Sequence, residues 1–260
     1  MADNQTRRFP MKMSLVLALV ASVSATTLPA FAKPSAAVVA AVADKGRPEA
    51  DTKRDADRKP AEMLEFAGVK PGQTVADFLP GGGYFTRIFS KTVGPKGTVF
   101  AVVNAPAPNA TKPNPILAVA AEPGNENIKV VEGNVGAISL PKQADVIWTS
   151  QNYHDLFLTR FKANIAVANR SIFYALKPGG YFIVLDHAAA HGAPLIATAN
   201  TLHRIDPALV RQQLEAAGFK YVGESKVLAN SDDDHTKMVF DPILRGHTDQ
   251  FIYKFQRPKS

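Results

Sequence analysis

The chain has 260 residues, of which 46% are hydrophobic and 20% charged, an ordinary globular composition that is long enough for one sizeable core. The net charge is +7 and the basic residues are spread along the chain, so we expect no nucleic-acid binding. Cysteine is absent, which excludes disulfides, thiolate nucleophiles and cysteine-ligated zinc.

The first 32 residues have the features of a secretory signal peptide. Arg7, Arg8 and Lys12 form a positive n-region, an apolar stretch follows, and Ala30-Phe31-Ala32 gives the A-x-A cleavage pattern. Cleavage after residue 32 removes three basic residues and one acidic residue, so the net charge falls to +5. We therefore expect a soluble periplasmic or secreted protein. An N-terminal membrane anchor and twin-arginine export stay open as alternatives.

The region before the first strand has two parts. Residues 33–47 are alanine-rich without a strong pattern and predict a loose leader. Residues 48–67 have helical spacing, and Pro60 suits the first position of a second helix. We therefore divide the chain into the signal peptide (1–32), a leader with a helical extension (33–58) and one domain (59–260).

Strand and helix patterns alternate through the rest of the chain. The predicted strands are Thr74–Phe78, Thr98–Val103, Ile128–Val131, Asp145–Thr149, Tyr181–Leu185, Tyr221–Val227 and Phe251–Phe255. The predicted helices between them are Tyr84–Val93, Ile116–Ala121, Arg160–Leu176 and a helix that Asp206-Pro207 caps and that ends at Gly218. This alternation predicts an α/β fold with a single doubly wound, mostly parallel, seven-stranded sheet and an N-terminal helical extension.

A glycine-rich turn, "VADFLPGGGYFT" at residues 75–86, follows the first predicted strand. Ligands of doubly wound sheets bind beyond the carboxyl ends of the strands, and glycines there let the backbone approach them closely. A second glycine motif, "LKPGGYFIVLD", occupies residues 176–186. Together with "GTVFAV", these segments resemble the class I S-adenosylmethionine-dependent methyltransferases over roughly residues 55–255. The segments "RDADRKPAEMLEFAGVKPG" and "RGHTDQFIYKF" look like an exported branch of that family.

The resemblance implies S-adenosylmethionine as the cofactor, held by the first glycine motif. Asp77 matches the acidic residue of the family's D-x-G-x-G-x-G pattern. Gly81 and Gly83 match its second and third glycines, with Gly82 between them, whereas Leu79 stands in place of the first glycine.

Two further cofactor contacts of the family fall on amides in this chain. Asn104, or its neighbour Val103, stands in place of the acidic residue that usually holds the ribose hydroxyls, and Asn134 stands in the region of the Asp that often meets the adenine amino group. An amide oxygen still accepts a hydrogen bond, but a carboxylate is the stronger acceptor. The resemblance therefore implies weak cofactor binding.

The segment "SQNYHDLF" after the fourth predicted strand carries the candidate catalytic residues. Methyl transfer requires alignment of donor and acceptor, and a general base helps when the acceptor is a hydroxyl or an amine. We predict His154 as that base, because imidazole titrates near neutral pH, with Tyr153 and Asp186 as further catalytic residues. The alternative is a helix N-terminus that Asp155 caps, with His154 merely packed.

Histidine and aspartate also recur in later segments. They are His187 and His191, His203 beside Arg204, and the run Asp232, Asp233, Asp234 and His235. Such side chains can bind a metal. The spacings are wide, however, so we assign no metal-binding residue and expect the aspartate run to be a solvated loop.

Before the first strand, Arg54, Asp55 and Arg58 could cover the cofactor or form exposed helix ion pairs, and we expect the latter. The sequence thus predicts S-adenosylmethionine-dependent methyl transfer to a small-molecule acceptor, with no nucleic-acid partner and no membrane partner once the signal peptide is cleaved. Two alternatives stay open: a non-catalytic periplasmic protein that has repurposed the fold, and a metal-dependent one.

Overall fold

The computed structural model describes residues 1–2, 33–161 and 163–259. The predicted signal peptide lies, from residue 3 to residue 32, outside the described residues. Among the helices that the structure describes, none is both long enough and apolar enough to cross a membrane.

A mixed sheet forms the centre of the fold. Its strands are β1 (Thr74–Phe78), β2 (Thr98–Asn104), β3 (Ile128–Gly133), β4 (Ala144–Ser150), β5 (Leu176–His187), β6 (Lys220–Ser225) and β7 (Gln250–Gln256). Within the described residues the strand order is β3-β2-β1-β4-β5-β7-β6, and β7 runs antiparallel to both of its neighbours. The predicted seven-stranded, mostly parallel sheet is confirmed.

Helices cover both faces of this sheet. They are α1 (Ala36–Val42), α2 (Glu49–Thr52), α3 (Asp55–Arg58), α4 (Pro60–Ala67), α5 (Tyr84–Val93), α6 (Pro115–Ala120), α7 (Ile165–Ala175), α8 (Leu195–Leu202) and α9 (Pro207–Ala216). Successive strand residues point to opposite faces. In β1, Val75 belongs to a core cluster that includes residues of α1, α4, α5 and α6, and Ala76 belongs to a second cluster that includes residues of α7, α8 and α9. The sheet is therefore doubly wound, with a core on each side.

The expected loose leader is wrong. Residues 36–42 form α1, whose N-terminus is capped by the Ser35 side chain, which accepts from the Val38 N–H. Val38 and Ala41 are three residues apart and therefore lie on one helix face. Both are buried in the same core as α5. Burial of this short apolar face stabilises a helix whose composition alone gave no strong signal.

The helix predicted from Arg160 starts later. Asn164 caps α7 by accepting from the Val167 N–H at 3.2 Å, so Arg160 and Phe161 precede the helix. At its other end, α7 passes directly into β5, which begins at Leu176 rather than at Tyr181. Leu176 pairs with Ala144, and the next pair joins Tyr181 to Val146. Residues 177–180 of β5 therefore form a bulge.

The strand order creates a switch point between β1 and β4. From β1 the chain moves outward through β2 and β3 to one edge, then returns to β4 and continues through β5 towards the other edge. The loops that leave β1 and β4 at their carboxyl ends therefore diverge and leave a crevice between them. Doubly wound sheets bind their ligands in such a crevice.

Candidate active site

The loop after β1 keeps a glycine-like turn although a glycine is missing. Leu79 has a φ of 56°, which lies in the left-handed region that L-residues adopt at a cost. Its carbonyl accepts a hydrogen bond from Asn152 Nδ2 at 2.8 Å, and its N–H donates to the Val102 carbonyl at 2.9 Å. These contacts with the loop after β4 and with β2 hold the backbone in the conformation that glycine would adopt freely.

The three glycines of this loop have different surroundings. Gly81, with a φ of 57°, and Gly82 line a cavity. A Cβ atom added to either would meet no described atom within 4 Å, so open space lies beside both residues. Gly83 does not line the cavity, and a Cβ there would lie 3.0 Å from Ile116 and Val119. Gly81 and Gly82 are thus placed to approach a ligand, and Gly83 is required for packing against α6.

Asp77 lies at the carboxyl end of β1 and faces the same cavity. Its carboxylate accepts a hydrogen bond from Thr86 Oγ1 at 2.6 Å. Burial raises the pKa of Asp77 to about 7, although the hydrogen bond from Thr86 and the charge of Arg58 act to lower it. The cavity therefore holds a carboxyl group that is poised near neutrality.

The cavity lies at the switch point and has a volume of about 370 Å³. It is lined by the glycine loop, by the loop after β4, by the α2–α3 segment and by residues 239–240. A second cavity of about 580 Å³ adjoins it. The residues that line both cavities include Arg54, Arg58, Gln151, His187 and Phe240. The site thus has room for two ligands side by side.

His154 lines this cavity and forms a hydrogen-bonded pair with Asp186, which does not line it. His154 Nδ1 lies 2.8 Å from Asp186 Oδ1, and the His154 N–H donates to Asp186 Oδ2 at 2.7 Å. His154 begins a 3-10 helix over His154–Phe157, and Asp186 is fully buried near the end of β5. Because the carboxylate accepts from Nδ1, the Nε2 atom of His154 carries the free lone pair in the neutral ring.

The pKa values of this pair reflect strong mutual stabilisation. Burial acts to lower the pKa of His154, but the Asp186 carboxylate raises it overall. Burial acts to raise the pKa of Asp186, and His154 lowers it overall. Each group therefore stabilises the charged form of the other, so the pair stabilises the imidazolium that forms when His154 accepts a proton.

Two more histidines line the cavity. His203 Nδ1 lies 3.2 Å from His154 Nε2, and the ring of Phe240 packs at 5.1 Å on His203. His187 Nδ1 lies 2.7 Å from Thr248 Oγ1, and burial lowers the pKa of His187 to about 4. His187 is therefore a neutral ring at physiological pH.

The N-terminal extension contributes charge to the site, so the expectation of exposed ion pairs at residues 54–58 is wrong. Arg54 and Arg58 line both cavities, and Arg58 donates to Ser150 Oγ at 2.8 Å. Burial, together with the charge of Arg54, lowers the pKa of Arg58 to about 10. Asp55 accepts from Arg47 within the extension and from the Tyr84 hydroxyl, and the bond from Tyr84 fastens the extension to α5.

Five predicted site residues lie outside the cavity lining: Gly83 and Asp186, described above, and Tyr153, Asn104 and Asn134. Tyr153 is fully buried in the core, and its hydroxyl lies 3.0 Å from Asn169 Oδ1, so we correct its role from catalytic to structural. Asn104 Oδ1 accepts from the Val135 N–H, and Asn134 Oδ1 accepts from the Gly136 N–H. Both amide oxygens thus accept from backbone N–H groups of the loop after β3, and the contacts of the two residues with a cofactor stay predictions.

The remaining members of the histidine and aspartate set do not form one cluster. His191 pairs with Asp206 at 3.1 Å and His235 with Asp249 at 2.9 Å. The expected solvated loop is wrong for Asp233, which is buried and forms an ion pair with the fully buried Arg204 at 2.8 Å. Asp232 and Asp234 are exposed.

Sequence reasoning missed several residues of the cavity wall, among them Val239, Phe240 and Arg160. Their spacing in the sequence gives no periodic signal that would identify them as site residues, because they lie in irregular segments. The segment around Phe240 approaches the site since Arg204 donates to the Lys237 carbonyl at 2.9 Å and the Val239 N–H donates to the Leu202 carbonyl.

No family model matches the chain. Curated relatives do match it, and those of Photorhabdus laumondii and Pasteurella multocida are both named ubiquinone/menaquinone biosynthesis C-methyltransferase UbiE. Each is 29% identical over 68% of this chain, and the match covers 68% and 64% of the relative, respectively. The chain thus spans about two thirds of the length of these relatives.

Solved structures with the same fold include a SAM dependent methyltransferase from Aquifex aeolicus, with a TM-score of 0.54 and 20% identity over 82% of this chain and 99% of the other. A glycopeptide N-methyltransferase, MtfA, complexed with sinefungin has a TM-score of 0.53 and 16% identity over 79% and 86% of the two chains. At these identities the likeness concerns the fold.

Proposed function

We propose that this chain, which its relatives and its fold indicate to be a class I S-adenosylmethionine-dependent methyltransferase, transfers a methyl group to a small molecule that carries an ionisable hydroxyl. One observation carries the proposal. Gly81 and Gly82 of the glycine loop line the same cavity as His154, whose ring is held by Asp186. A donor held by the loop and an acceptor held by the pair would therefore meet within one site.

The residues present fit the cofactor. The open space beside Gly81 and Gly82 is where a nucleoside can approach the backbone without meeting a side chain. Arg54 and Arg58 bring positive charge to the same cavity and can bind the carboxylate of the cofactor. When bound, S-adenosylmethionine supplies an electrophilic methyl group on a sulfonium sulfur, which keeps the electron pair of the broken carbon–sulfur bond.

His154 serves the acceptor in this proposal. Its Nε2 atom takes the proton that the acceptor hydroxyl loses as the oxygen, or a ring carbon conjugated with it, forms the new bond to the methyl carbon. Asp186 orients the ring through Nδ1 and stabilises the imidazolium that results. Phe240 and His203 offer flat ring faces at the mouth of the cavity, which suits an aromatic acceptor.

The test is the release of S-adenosylhomocysteine. The chain is incubated with S-adenosylmethionine and a panel of phenols, hydroxybenzoates and hydroquinones, and the product is quantified by chromatography. We expect release with at least one phenolic acceptor and a strong reduction in a His154→Ala variant. Unchanged release in this variant would remove His154 from the mechanism.

We also propose that the chain is exported and that the mature protein begins at Lys33. The basic n-region and the A-x-A pattern before this residue support the proposal. So does α1, whose N-cap Ser35 leaves only two residues between the cleavage site and the first cap. Mass spectrometry of the protein purified from a periplasmic fraction tests it, and an intact N-terminus would contradict it.

A further inference from the structure

We infer that His154, Asp155 and His203 form a binding site for a divalent transition-metal ion, with Zn²⁺ as the best-suited ion. One ligand atom from each of the three side chains lies within 4.8 Å of those of the other two. The site goes beyond methyl transfer and defines a separate state of the chain, because His154 Nε2 either binds the ion or, in the metal-free chain, accepts the proton of the acceptor.

The distances between the candidate ligand atoms suit a small cation. His154 Nε2 lies 3.2 Å from His203 Nδ1 and 3.5 Å from Asp155 Oδ1. Zinc–nitrogen and zinc–oxygen bonds of about 2.0–2.2 Å in tetrahedral geometry place neighbouring ligand atoms roughly 3.3–3.5 Å apart. Two of the three pairs of ligand atoms are therefore spaced as a bound ion would hold them, and the third pair lies within 4.8 Å.

A carboxylate behind the first ligand completes the arrangement. Metal-binding histidines usually donate their second ring N–H to a carboxylate or a carbonyl, which fixes the tautomer. In this chain Asp186 accepts from His154 Nδ1 at 2.8 Å, so Nε2 points towards Asp155 and His203 with its lone pair free. The fully buried Asp186 also adds a negative charge beside the site.

The backbone at the end of α8 places His203 beside His154. His203 has a φ of 55° directly after α8, in the left-handed region that commonly ends a helix and that histidine adopts more readily than most L-residues. The centroid of the His203 ring lies 5.3 Å from that of His154 and 5.1 Å from that of Phe240.

Other cations near the site do not replace a metal. Arg160 reaches Asp155 at only 3.9 Å, and its side chain is two-thirds exposed. Two imidazoles and one carboxylate favour zinc and similar ions over magnesium, which prefers oxygen ligands. Three protein ligands leave a fourth position open towards the cavity, as in catalytic zinc sites. An oxygen of the acceptor, or a water molecule, could take this position.

The test measures metal binding without any methyl donor. The full chain is freed of metal with a chelator, loaded with Zn²⁺, passed through gel filtration and analysed for bound metal, and Co²⁺ is used to record a visible spectrum. We expect one equivalent of Zn²⁺ and the intense bands of tetrahedral Co²⁺. Because Asp186 holds the ligand His154, we expect Asp186→Asn to weaken Zn²⁺ binding by about 10–100-fold.

Two variants each replace a histidine with a positive φ by asparagine, one inside the proposed metal site and one outside it. Asparagine tolerates the left-handed region, so His203→Asn should fold and lose Zn²⁺ binding. His235 has a φ of 63° and pairs with Asp249 away from the cavity lining, so His235→Asn should bind Zn²⁺ like the unaltered chain.

Folding of each variant is checked by thermal melting without metal. Absence of bound Zn²⁺ in the folded chain, or equal binding by His203→Asn, would overturn the proposal and leave a hydrogen bond between two histidines. Failure of the proposed methyl transfer would be seen separately, as absence of S-adenosylmethionine binding to the metal-free chain.

Discussion

Asp186 holds His154 through both of its carboxylate oxygens, with Oδ1 2.8 Å from the ring nitrogen Nδ1 and Oδ2 2.7 Å from the backbone nitrogen. The two residues come from β5 and from the loop after β4, which are neighbours in the sheet. The ring of His154 is thus oriented by an adjacent strand rather than by its own loop.

This relationship predicts the effect of Asp186→Asn on turnover. An amide can present an N–H to Nδ1 and so stabilise the wrong tautomer, which removes the lone pair from Nε2. We expect the rate of S-adenosylhomocysteine release to fall by about 10²–10⁴-fold, the range typical of a general base. Circular dichroism should show a retained fold, and a rate within a few-fold of the original would contradict the assigned role.

We expect the substitution of Leu79 by glycine to relieve backbone strain without loss of cofactor binding. Its left-handed backbone costs about 1–2 kcal/mol for an L-residue, and glycine adopts this conformation freely. We expect Leu79→Gly to fold and to bind S-adenosylmethionine at least as tightly as the original chain, whereas the β-branched Leu79→Ile should lower the melting temperature. Loss of binding in Leu79→Gly would mean that the leucine side chain itself contacts the cofactor.

Asp77 predicts a dependence of stability on pH. Its pKa is about 7 in the folded chain against a model-peptide value of 3.8, so the unfolded chain releases this proton first as the pH rises. Below pH about 4 the carboxyl is protonated in the folded and in the unfolded chain, and its burial does not lower the free energy of unfolding. Between pH about 4 and about 7 the unfolded chain ionises first, so the free energy of unfolding falls progressively. Above that range the loss is complete.

Asp77→Asn should remove this loss, since the Asn oxygen can still accept from Thr86. Melting curves of the variant and of the original chain at pH about 4, 5.5 and 7.5 should diverge as the pH rises, with the variant the more stable at the highest value. The exposed Asp232→Asn serves as the control. Parallel curves for Asp77→Asn would contradict a raised pKa.

The buried pair of Arg204 and Asp233 predicts a large cost on disruption. Removal of one partner leaves an uncompensated buried charge, which costs about 3–5 kcal/mol. We expect Arg204→Leu to lower the free energy of unfolding by this amount in a denaturant titration. Lys53→Gln, which breaks the exposed pair with Glu49, should change it by less than about 0.5 kcal/mol.

The sequence located the parts of the site that lie at the ends of regular strands. Asp77, Gly81 and Gly82 follow β1 and match a family motif, and His154 and Asp186 follow β4 and end β5. The carboxyl ends of parallel strands meet at one edge of the sheet, so these residues are brought together by topology alone.

The directions of side chains in irregular backbone segments could not be predicted from the sequence. Gln151, with a φ of 62°, and the 3-10 helix after it break the in–out alternation beyond β4, which sends Tyr153 into the core and His154 to the cavity. Arg58 and Phe240 reach the site from segments that are placed by tertiary bonds, those of Asp55 and Arg204. Such bonds leave no periodic signal in the sequence.

Calorimetric titration of the chain with S-adenosylmethionine and S-adenosylhomocysteine tests the central claim most directly. We expect saturable binding of both compounds that is lost in Gly81→Val, because a β-branched residue does not readily adopt the φ of 57° and would fill the open space beside the loop. His235→Asn, remote from the cavity lining, should bind normally. Absence of binding at millimolar cofactor, or equal binding by a folded Gly81→Val, would contradict the methyl-donor site.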